Sequence, residues 1–403
     1  MKPKHFPLSV IFVLIVVALF SQTPLQAQHT PQQLATTLQQ MQLRLEKYDY
    51  DVQMDSFYHE CQKQIRICDK KIEKNNPALY AERAIWRVIL ANTELDYRDV
   101  GGYRISNRTA GSDADETDWL TWDYDRLSAD IVQNYLLALQ DARRSQAQSK
   151  PYQPLIDPYL YCPLLSVTTT YPTLYDLVAS DFIGRHNPII YGTDRDHLEQ
   201  YLSDDFPNIA LDTSDTLSVT YQKLRLFQEL LRFHANDTDK TALLVWKLKL
   251  HQSILTTSDD HNTSSLQEQY LKRLEERFGQ EDFAWILFLE LGNLYATKDS
   301  EPQDSNRYCK AVHYYQLVQE ATATSNPAVA KDMKGKISYI QKPSASAIPP
   351  SDLLLPTDNL ICLTSRNCDS VFLYVKPYLS SEIKANKFSE YNAVYKAVVP
   401  IST

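Results

Sequence analysis

A histidine and two cysteines near the start of the chain come closest to a metal-binding pattern. His59 is followed by Cys61, and Cys68 lies a further two helical turns along the sequence. Structural zinc sites bind the metal through four ligands, which usually come as closely spaced pairs. These three residues fall on a single helical pattern without a second pair. We therefore interpret them as a histidine and two packed thiols on a helix.

Motifs of the common catalytic sites do not occur in the sequence. The dipeptide His59-Glu60 lacks the second histidine of a zinc metalloprotease, and there is neither a Gly-x-Ser-x-Gly turn nor a glycine-rich phosphate loop. The sequence therefore nominates no catalytic residue, no cofactor-binding residue and no metal ligand. We expect that the chain is not an enzyme and that it uses no cofactor.

Two acidic runs contain enough carboxylates for acid–base chemistry or for calcium binding. They are Asp113-Ala114-Asp115-Glu116 and Ser258-Asp259-Asp260-His261. Both runs lie in polar segments beside predicted helices. We interpret them as solvated acidic loops.

Aromatic residues are concentrated near two predicted helix starts. Trp119 and Trp122 precede one helix, and Tyr171 and Tyr175 flank the start of another. Such rings could line a recognition groove, but aromatic residues beside helix starts more often pack in the core. We interpret all four as core residues and nominate none as a ligand contact.

The elements that position these residues are predicted to be helices, because apolar residues recur at helical spacing from Gln32 to Lys342. The chain has only 8 glycines in 403 residues, which favours long helices over tight turns. Short connectors make neighbouring helices antiparallel. We predict a mainly α fold, with residues 28–342 as an irregular stack of antiparallel helical hairpins. The clearest stripes are Leu127, Ile131, Tyr135 and Leu139; Leu243, Trp246, Leu250 and Ile254; and Leu266, Tyr270, Leu274 and Phe278.

Two of these helices begin with residues that can cap the free amides of a first turn. Asp123 precedes one helix, with Trp122 placed to pack on Leu127 as a hydrophobic staple. Thr173 and Asp176 have the spacing of a capping box at the start of another.

One helix pair resembles a degenerate tetratricopeptide unit. The segment from Thr297 to Asn306 lengthens its connector beyond that of the 34-residue repeat, and we find no clean second copy. The array is therefore predicted to be tetratricopeptide-like only in part. The matching residues are Phe288, Leu291, Gly292 and Tyr295 on the first helix, Ala311 and Tyr315 on the second, and Pro327 beyond.

The sequence changes character after Lys342. Residues 343–351 are rich in proline, serine and alanine and are predicted to form a linker, since proline cannot continue a helix. Residues 360–363, 371–375 and 391–399 then have the composition of short β-strands. An immunoglobulin-like sandwich needs about 100 residues, so we predict that residues 352–403 are an incomplete β-domain, the start of a sandwich. Whether Cys362 and Cys368 form a disulfide is left open.

Residues 1–27 have the features of a cleaved secretory signal peptide. An apolar run from Val10 to Phe20 follows two lysines, and Leu25-Gln26-Ala27 is a plausible cleavage site. The run is shorter than the about 20 residues of a membrane span, and no cysteine lies near the cleavage point for lipid attachment. We predict a secreted or periplasmic protein with no stable membrane span after cleavage. An uncleaved N-terminal anchor is the alternative.

The charge of the chain argues against one class of partner. Its formal net charge is -9 at pH 7. Nucleic-acid binding requires clustered lysine and arginine that displace counterions from phosphates, and an acidic protein repels a polyanion. We therefore expect no nucleic-acid partner.

Two sequence blocks bracket a long predicted helix and resemble one family. The first joins Ile105-Ser106-Asn107-Arg108-Thr109 to Thr121-Trp122-Asp123, and the second is Tyr171-Pro172-Thr173-Leu174-Tyr175-Asp176. The pattern resembles the large bacterial alpha-2-macroglobulin-like secreted proteins, in the branch with a long helical region ahead of its β-sandwich domains. Residues 361–378 also resemble the start of the first macroglobulin-type domain of that family.

The resemblance implies that the chain is the N-terminal portion of an exported protein that inhibits endopeptidases by trapping them. Trapping in this family uses an exposed bait segment and, in many members, a Cys-x-Glu-Gln thioester. None of the six cysteines is followed by that sequence, and this chain carries no β-domain that would hold a bait. Proteases or other exported proteins are the expected partners. The alternative is a self-sufficient exported helical-repeat adaptor that binds proteins on its concave face.

Overall fold

The computed structural model describes most of the predicted helical region and two short strands. The predicted signal peptide, the carboxylates of both acidic runs and the predicted strands at 371–375 and 391–399 lie outside the described residues. The described residues are 29–45, 48–72, 77–108, 118–156, 170–185, 195–211, 218–255, 261–297, 307–342, 344–348 and 362–366.

The described residues are mainly α-helical, as predicted, and the chain divides into two compact units after Tyr270. The division falls inside helix α10 (His261–Phe278), so the predicted array of residues 28–342 extends over both units. The first unit also contains α1 (Pro31–Leu45), α2 (Tyr50–Ile72), α3 (Pro77–Ser106), α4 (Tyr124–Ser145), α5 (Gln153–Ile156), α6 (Leu174–Arg185), α7 (Arg195–Tyr201), α8 (Val219–His234) and α9 (Thr241–Leu255), with 3-10 turns at Trp119–Thr121 and Phe206–Asn208. The second unit contains α11 (Trp285–Thr297), α12 (Arg307–Thr322), α13 (Pro327–Gln341) and the strands β1 (Ser344–Ile348) and β2 (Cys362–Arg366).

Helices α2 and α3 run antiparallel. Asp51 at the start of α2 pairs with Arg104 at the end of α3, at 3.4 Å. Asp69 near the end of α2 pairs with Arg83 near the start of α3, at 2.5 Å. The two helices therefore form the antiparallel hairpin that a short connector favours.

Helix α4 likewise lies antiparallel to α3. Arg98 of α3 donates a hydrogen bond to the hydroxyl of Ser128 in α4, at 3.1 Å. Arg83, near the opposite end of α3, donates from Nε to the carboxylate of Asp141 at 2.7 Å. Helices α2, α3 and α4 thus form an up-down-up bundle. These polar contacts link neighbouring helices near their ends.

Helix α6 is the centre of the first unit, because every residue from Leu174 to Ile183 is buried. A helix that is covered on all sides has no solvent face and therefore no amphipathic stripe. Its Phe182 meets Tyr135 of α4 with ring centroids 5.2 Å apart, and its Tyr175 meets Phe233 of α8 at 5.4 Å.

The second unit contains the predicted tetratricopeptide-like pair as helices α11 and α12. A β-carbon at Gly292 would lie 2.6 Å from the ring of Tyr315, so the glycine allows the two helices to approach closely. Tyr295 of α11 stacks on Tyr314 of α12 with centroids 5.8 Å apart. Pro327 occupies the first position of α13, where its missing amide hydrogen costs nothing.

The two strands correct the predicted linker. Strand β1 lies within residues 343–351 and pairs antiparallel with β2, with Ser344 opposite Arg366 and Ile348 opposite Cys362. The prolines of this segment flank the strand rather than interrupt it, so Ser-Ala-Ser-Ala-Ile keeps all its backbone donors. Within the described residues this pair is the only sheet, and it does not support the predicted start of a β-sandwich.

None of the helices in the described part of the chain combines the length and the apolar character that crossing a lipid bilayer requires.

Alanine at Gly292 should destabilise the protein, and alanine at Gly335 should not. The new methyl group at Gly292 would meet the Tyr315 ring, whose hydroxyl is held 3.0 Å from the side chain of Asn293. We expect Gly292→Ala to lower the free energy of unfolding by about 1–3 kcal/mol. A β-carbon added at Gly335 in α13 would have no atom within 4 Å, so Gly335→Ala should raise it by about 0.5–1 kcal/mol. Urea unfolding followed by circular dichroism measures both, and equal effects would contradict the close approach.

Candidate functional site

The carboxylate of Asp176 has four hydrogen-bond contacts in the core of the first unit. It lies in the first turn of α6 and is fully buried. One oxygen accepts hydrogen bonds from the backbone amide and the hydroxyl of Thr173, at 3.0 and 2.6 Å. The other accepts from Nε1 of Trp246 at 2.9 Å and lies 2.6 Å from Nε2 of His234. The predicted capping box at Thr173 is therefore confirmed, and its carboxylate also joins α6 to α8 and α9.

His234 is held between two carboxylates. Its Nε2 lies 2.6 Å from Asp176, and its Nδ1 lies 2.6 Å from Asp237. An ionised carboxylate only accepts hydrogen bonds, so two ionised aspartates at these distances match an imidazolium that donates from both ring nitrogens. Burial alone would lower the pKa of His234, but the hydrogen bonds and negative charges of Asp176 and Asp237 outweigh it and raise the pKa above its ordinary value.

This Asp–His–Asp arrangement can hold charge but has no atom free for catalysis. A histidine that acts as a general base or as a metal ligand needs one unprotonated ring nitrogen. In His234 both nitrogens are engaged, and the side chain is only 1 % exposed. The arrangement therefore fits an electrostatic link between helices better than a reaction centre.

A second carboxylate on α6, Asp181, is bound in the same manner. Arg185 donates to it from Nε at 2.9 Å, and the hydroxyl of Tyr135 in α4 lies 2.8 Å away. Asn92 of α3 lies within hydrogen-bond distance of both Tyr135 and Asp181. Burial and the charge of Asp181 raise the pKa of Tyr135, so the phenol stays protonated as a donor. Together Asp176 and Asp181 connect α6 to α3, α4, α8 and α9.

One acid–base candidate lies between α3 and α4, where the fully buried Glu94 is close to the half-buried Asp130. Oε1 of Glu94 has no hydrogen-bond partner in the described part of the chain. Burial, followed by the charge and the hydrogen bond of Asp130, raises the pKa of Glu94 well above its ordinary value. Asn134 donates to both carboxyls, at 3.0 Å to Asp130 and at 3.4 Å to Glu94. The pair can therefore store a proton, but the Glu94 side chain has no access to solvent through which a substrate would reach it.

The residues that come closest to a metal-binding pattern in the sequence are not brought together. His59 lies on the surface and pairs with Asp55 at 3.2 Å. Cys61 and Cys68 are buried as free thiols. Within the part of the chain that the structure describes, no group of three or more His, Cys, Asp or Glu side chains is placed to hold a metal ion.

The four aromatic residues interpreted as core residues are all buried: Trp119, Trp122, Tyr171 and Tyr175. Trp119 stacks on Tyr58 with centroids 4.5 Å apart, and Tyr171 lies 5.6 Å from the ring of Trp246. The interpretation as core residues is therefore confirmed for all four.

The first sequence block of the family resemblance builds the connection between α3 and α4. Arg108 donates to the carbonyl oxygens of Leu120 and Trp122, at 2.6 and 2.8 Å. Asp123 caps α4 by accepting from the amide of Arg126 at 2.8 Å, as predicted. Arg108 and Asp123 of this block thus bind backbone groups of the protein itself.

Sequence reasoning did not identify His234 as a partner of Asp176. The two residues are separated by 58 positions, and His234 belongs to no motif. The capping-box spacing identified Asp176. The expected hydrogen bond from the backbone amide of Thr173 already gave its carboxylate a partner, so the sequence offered no reason to look for a second one. A histidine at the end of an amphipathic helix, three residues before Asp237, was the only local signal, and it is weak.

Comparison of the chain with protein-family models, with curated proteins and with solved structures gives no match. The family resemblance therefore rests on the sequence blocks alone.

Replacing His234 should destabilise the protein strongly, because Asp176 would remain buried without its cation. We expect His234→Gln to lower the free energy of unfolding by about 3–5 kcal/mol, the usual cost of removing one partner of a buried ion pair. The matched control is His59→Gln, whose side chain is 59 % exposed and which should have an effect within about 0.5 kcal/mol. Chemical denaturation of the three proteins at neutral pH provides the comparison.

The same link predicts the direction of a pH dependence. The pKa of His234 is raised in the folded state, so its stabilising contribution is fully present below the ordinary pKa of about 6.5 and is lost as the pH rises through the folded value. The stability difference between the wild type and His234→Gln should therefore shrink from mildly acidic to alkaline pH. A difference that grows with pH would show that the imidazole is neutral.

Neutralising Glu94 should stabilise the protein at alkaline pH. A carboxyl group with a raised folded-state pKa stabilises the fold below its ordinary pKa and loses that contribution as the pH rises through the folded value. Glutamine keeps the shape and carries no charge, so Glu94→Gln should raise the free energy of unfolding by about 1–2 kcal/mol at alkaline pH and by less at acidic pH. Glu199→Gln, at an exposed glutamate of the same unit, is the control. Destabilisation by Glu94→Gln at every pH would instead indicate an essential negative charge.

Proposed function

We propose that the chain is the N-terminal portion of an exported alpha-2-macroglobulin-like protein and that its helical body is a non-catalytic docking platform. In the full-length protein this portion would serve endopeptidase inhibition by trapping, with the bait segment outside this chain. The thioester cysteine would likewise lie elsewhere, since none of the six cysteines has the required x-Glu-Gln context.

The observation that carries the proposal is the structural role of the two motif blocks. Arg108 binds the carbonyl groups of Leu120 and Trp122, while Thr173 and Asp176 form the capping box of the central helix. Residues that determine how helices join are the residues that a family with a common helical scaffold would share. Their arrangement therefore supports a shared fold rather than a shared reaction.

The pairing of His234 and Asp181 supports a docking role over an enzymatic one. Both nitrogens of His234 bind carboxylates, and Asp181 is neutralised by Arg185. A catalytic acid or base needs an open path to its substrate and a free proton site. The polar core of the first unit offers neither at these residues, so the surface is the better candidate for function.

The second unit agrees with the coarser, helical part of the proposal. Gly292 lets α11 and α12 pack closely, as in a tetratricopeptide pair. We propose that residues 361–378 begin the macroglobulin-type β-sandwich that they resemble; this step rests on the resemblance, since the pairing of β1 with β2 does not support a sandwich. The helical body would then connect the exported N-terminus to the trapping domains.

The alternative is a self-sufficient exported adaptor that binds other proteins through its helical repeats. The close packing of α11 on α12 at Gly292 and Tyr315 favours it, because stacked helix pairs form the concave surfaces on which solenoid proteins bind partners. The two candidates differ in the size of the mature protein.

The mature protein should be much larger than this chain if the proposal holds. An antibody raised against residues 28–342 should detect, in the exported fraction of the producing cells, a band well above the 46.5 kDa of the chain. A band at or below that mass would favour the adaptor. The purified native protein should also protect a bulky protein substrate from an added protease while leaving cleavage of a short peptide intact, and equal cleavage of both substrates would contradict trapping.

A further inference from the structure

The exposed large hydrophobic side chains of the described residues are concentrated at one end of the first unit. Tyr103 is the most exposed of them, at 86 %. We call five of these residues the Tyr103 surface: Tyr48, Val52, Val100, Tyr103 and Tyr124. Leu43, near the end of α1, is exposed as well, and Tyr339 in the second unit is the only other one in the described ranges.

The antiparallel packing of α2, α3 and α4 brings these residues to the same end. Asp51, next to Val52, pairs with Arg104, next to Tyr103, at 3.4 Å. The guanidinium group of Arg98 lies over the ring of Tyr124 at 5.0 Å and links the end of α3 to the start of α4. The Tyr103 surface thus combines residues that are far apart in the sequence.

A backbone kink presents Tyr103 to solvent. Gly102 has a φ of 32° and a ψ of -110°, a conformation that a residue with a β-carbon rarely adopts. The kink interrupts α3 within its last turns, and Ile105 beyond it is fully buried, with its side chain against Gly101. The glycine therefore allows a bend that buries Ile105 and leaves Tyr103 outside.

The charges around the surface are unbalanced. Four aspartates at this end are exposed, and the side chain of Asp51 is 49 % exposed. Arg104 is the only exposed basic residue among 48–56, 96–108 and 118–126, and it is paired with Asp51. Asp99 is paired with the half-buried Arg98 at 3.0 Å, which leaves Asp49, Asp118 and Asp125 as the exposed acids of these ranges without a described ion pair. The surface is therefore apolar and aromatic with an acidic rim. The exposed aspartates are Asp49, Asp99, Asp118 and Asp125.

We propose that the Tyr103 surface docks a segment of a partner protein in which aromatic or aliphatic side chains are flanked by lysine and arginine. Tyrosine offers a rigid apolar face with a polar edge, and cations bind well over such rings. An acidic rim attracts a basic partner and repels an acidic one, including nucleic acid and anionic lipid. The assignment rests on the proposed docking role and specifies its surface and the chemistry of its partner.

A panel of short synthetic peptides tests the assignment on the full mature chain. Each peptide carries a tryptophan and leucines at a different spacing between lysine pairs, and a matched panel has glutamate in place of lysine. We expect saturable binding of at least one lysine peptide by fluorescence anisotropy, weakened by added salt. The double variant Tyr103→Ala, Val100→Ser should weaken it about tenfold or more, equivalent to about 1.4 kcal/mol.

Tyr339→Ala is the matched control, because Tyr339 is a tyrosine of comparable exposure (70 %) in the other unit. Its affinity for the lysine peptide should equal that of the wild type. Circular dichroism should show that both variants remain folded, since all the replaced side chains are exposed.

Several results would overturn the assignment. They are failure of the whole lysine panel to bind, equal binding by the glutamate panel, and equal loss in the Tyr103 and Tyr339 variants. A dimer in light scattering that disappears in the Tyr103 variant would place a second copy on the surface instead. If the protein binds the peptide but fails the protease-protection assay, trapping is refuted and the assignment of the Tyr103 surface stands. If the protein passes the protease-protection assay but binds no peptide, only this assignment is refuted.

Discussion

The buried carboxylate of Asp176 constrains how the central helix α6 packs against α8 and α9. Moving an ionised carboxylate into a core costs several kcal/mol unless hydrogen bonds and a counter-charge replace the lost water. Thr173, Trp246 and His234 supply them from three different parts of the chain. Helix α6 is therefore stable at the centre only when α8 and α9 are in register with it, and Asp181 imposes a similar condition on α3 and α4.

The residues that stabilise the core of the first unit are different from the residues that its surface exposes to a partner. In the core, Asp176 is paired with His234 and Asp181 with Arg185, whereas the buried His251 has no hydrogen-bond partner at either ring nitrogen in the described part of the chain. Six of the seven exposed large apolar side chains among the described residues belong to the first unit. A scaffold of this kind can tolerate changes at its surface, because the contacts that fix the helices lie elsewhere.

The local features of the fold were predictable from the sequence, and the long-range ones were not. The apolar stripe from Leu127 to Leu139 marks α4, and Asp123 caps it, because periodicity and capping depend on neighbouring residues. The central position of α6 has no such signal, since a short helix covered on all sides lacks an amphipathic stripe. Strand β1 was mistaken for part of a linker because its partner β2 lies fourteen residues beyond it in the sequence, and pairing depends on that partner. The contact of Asp176 with His234 was invisible for the same reason.

The two buried cysteines of α2 have a practical consequence. Burial raises the pKa of the Cys61 thiol and raises that of Cys68 to about 12, so neither forms the reactive thiolate while the helix is in place. Cys309 in the second unit is exposed. An alkylating reagent should therefore modify Cys309 at once and the pair on α2 only during transient opening. The labelling rate of Cys61 and Cys68 therefore reports how often the first unit opens locally. No cysteine has to be introduced for this measurement.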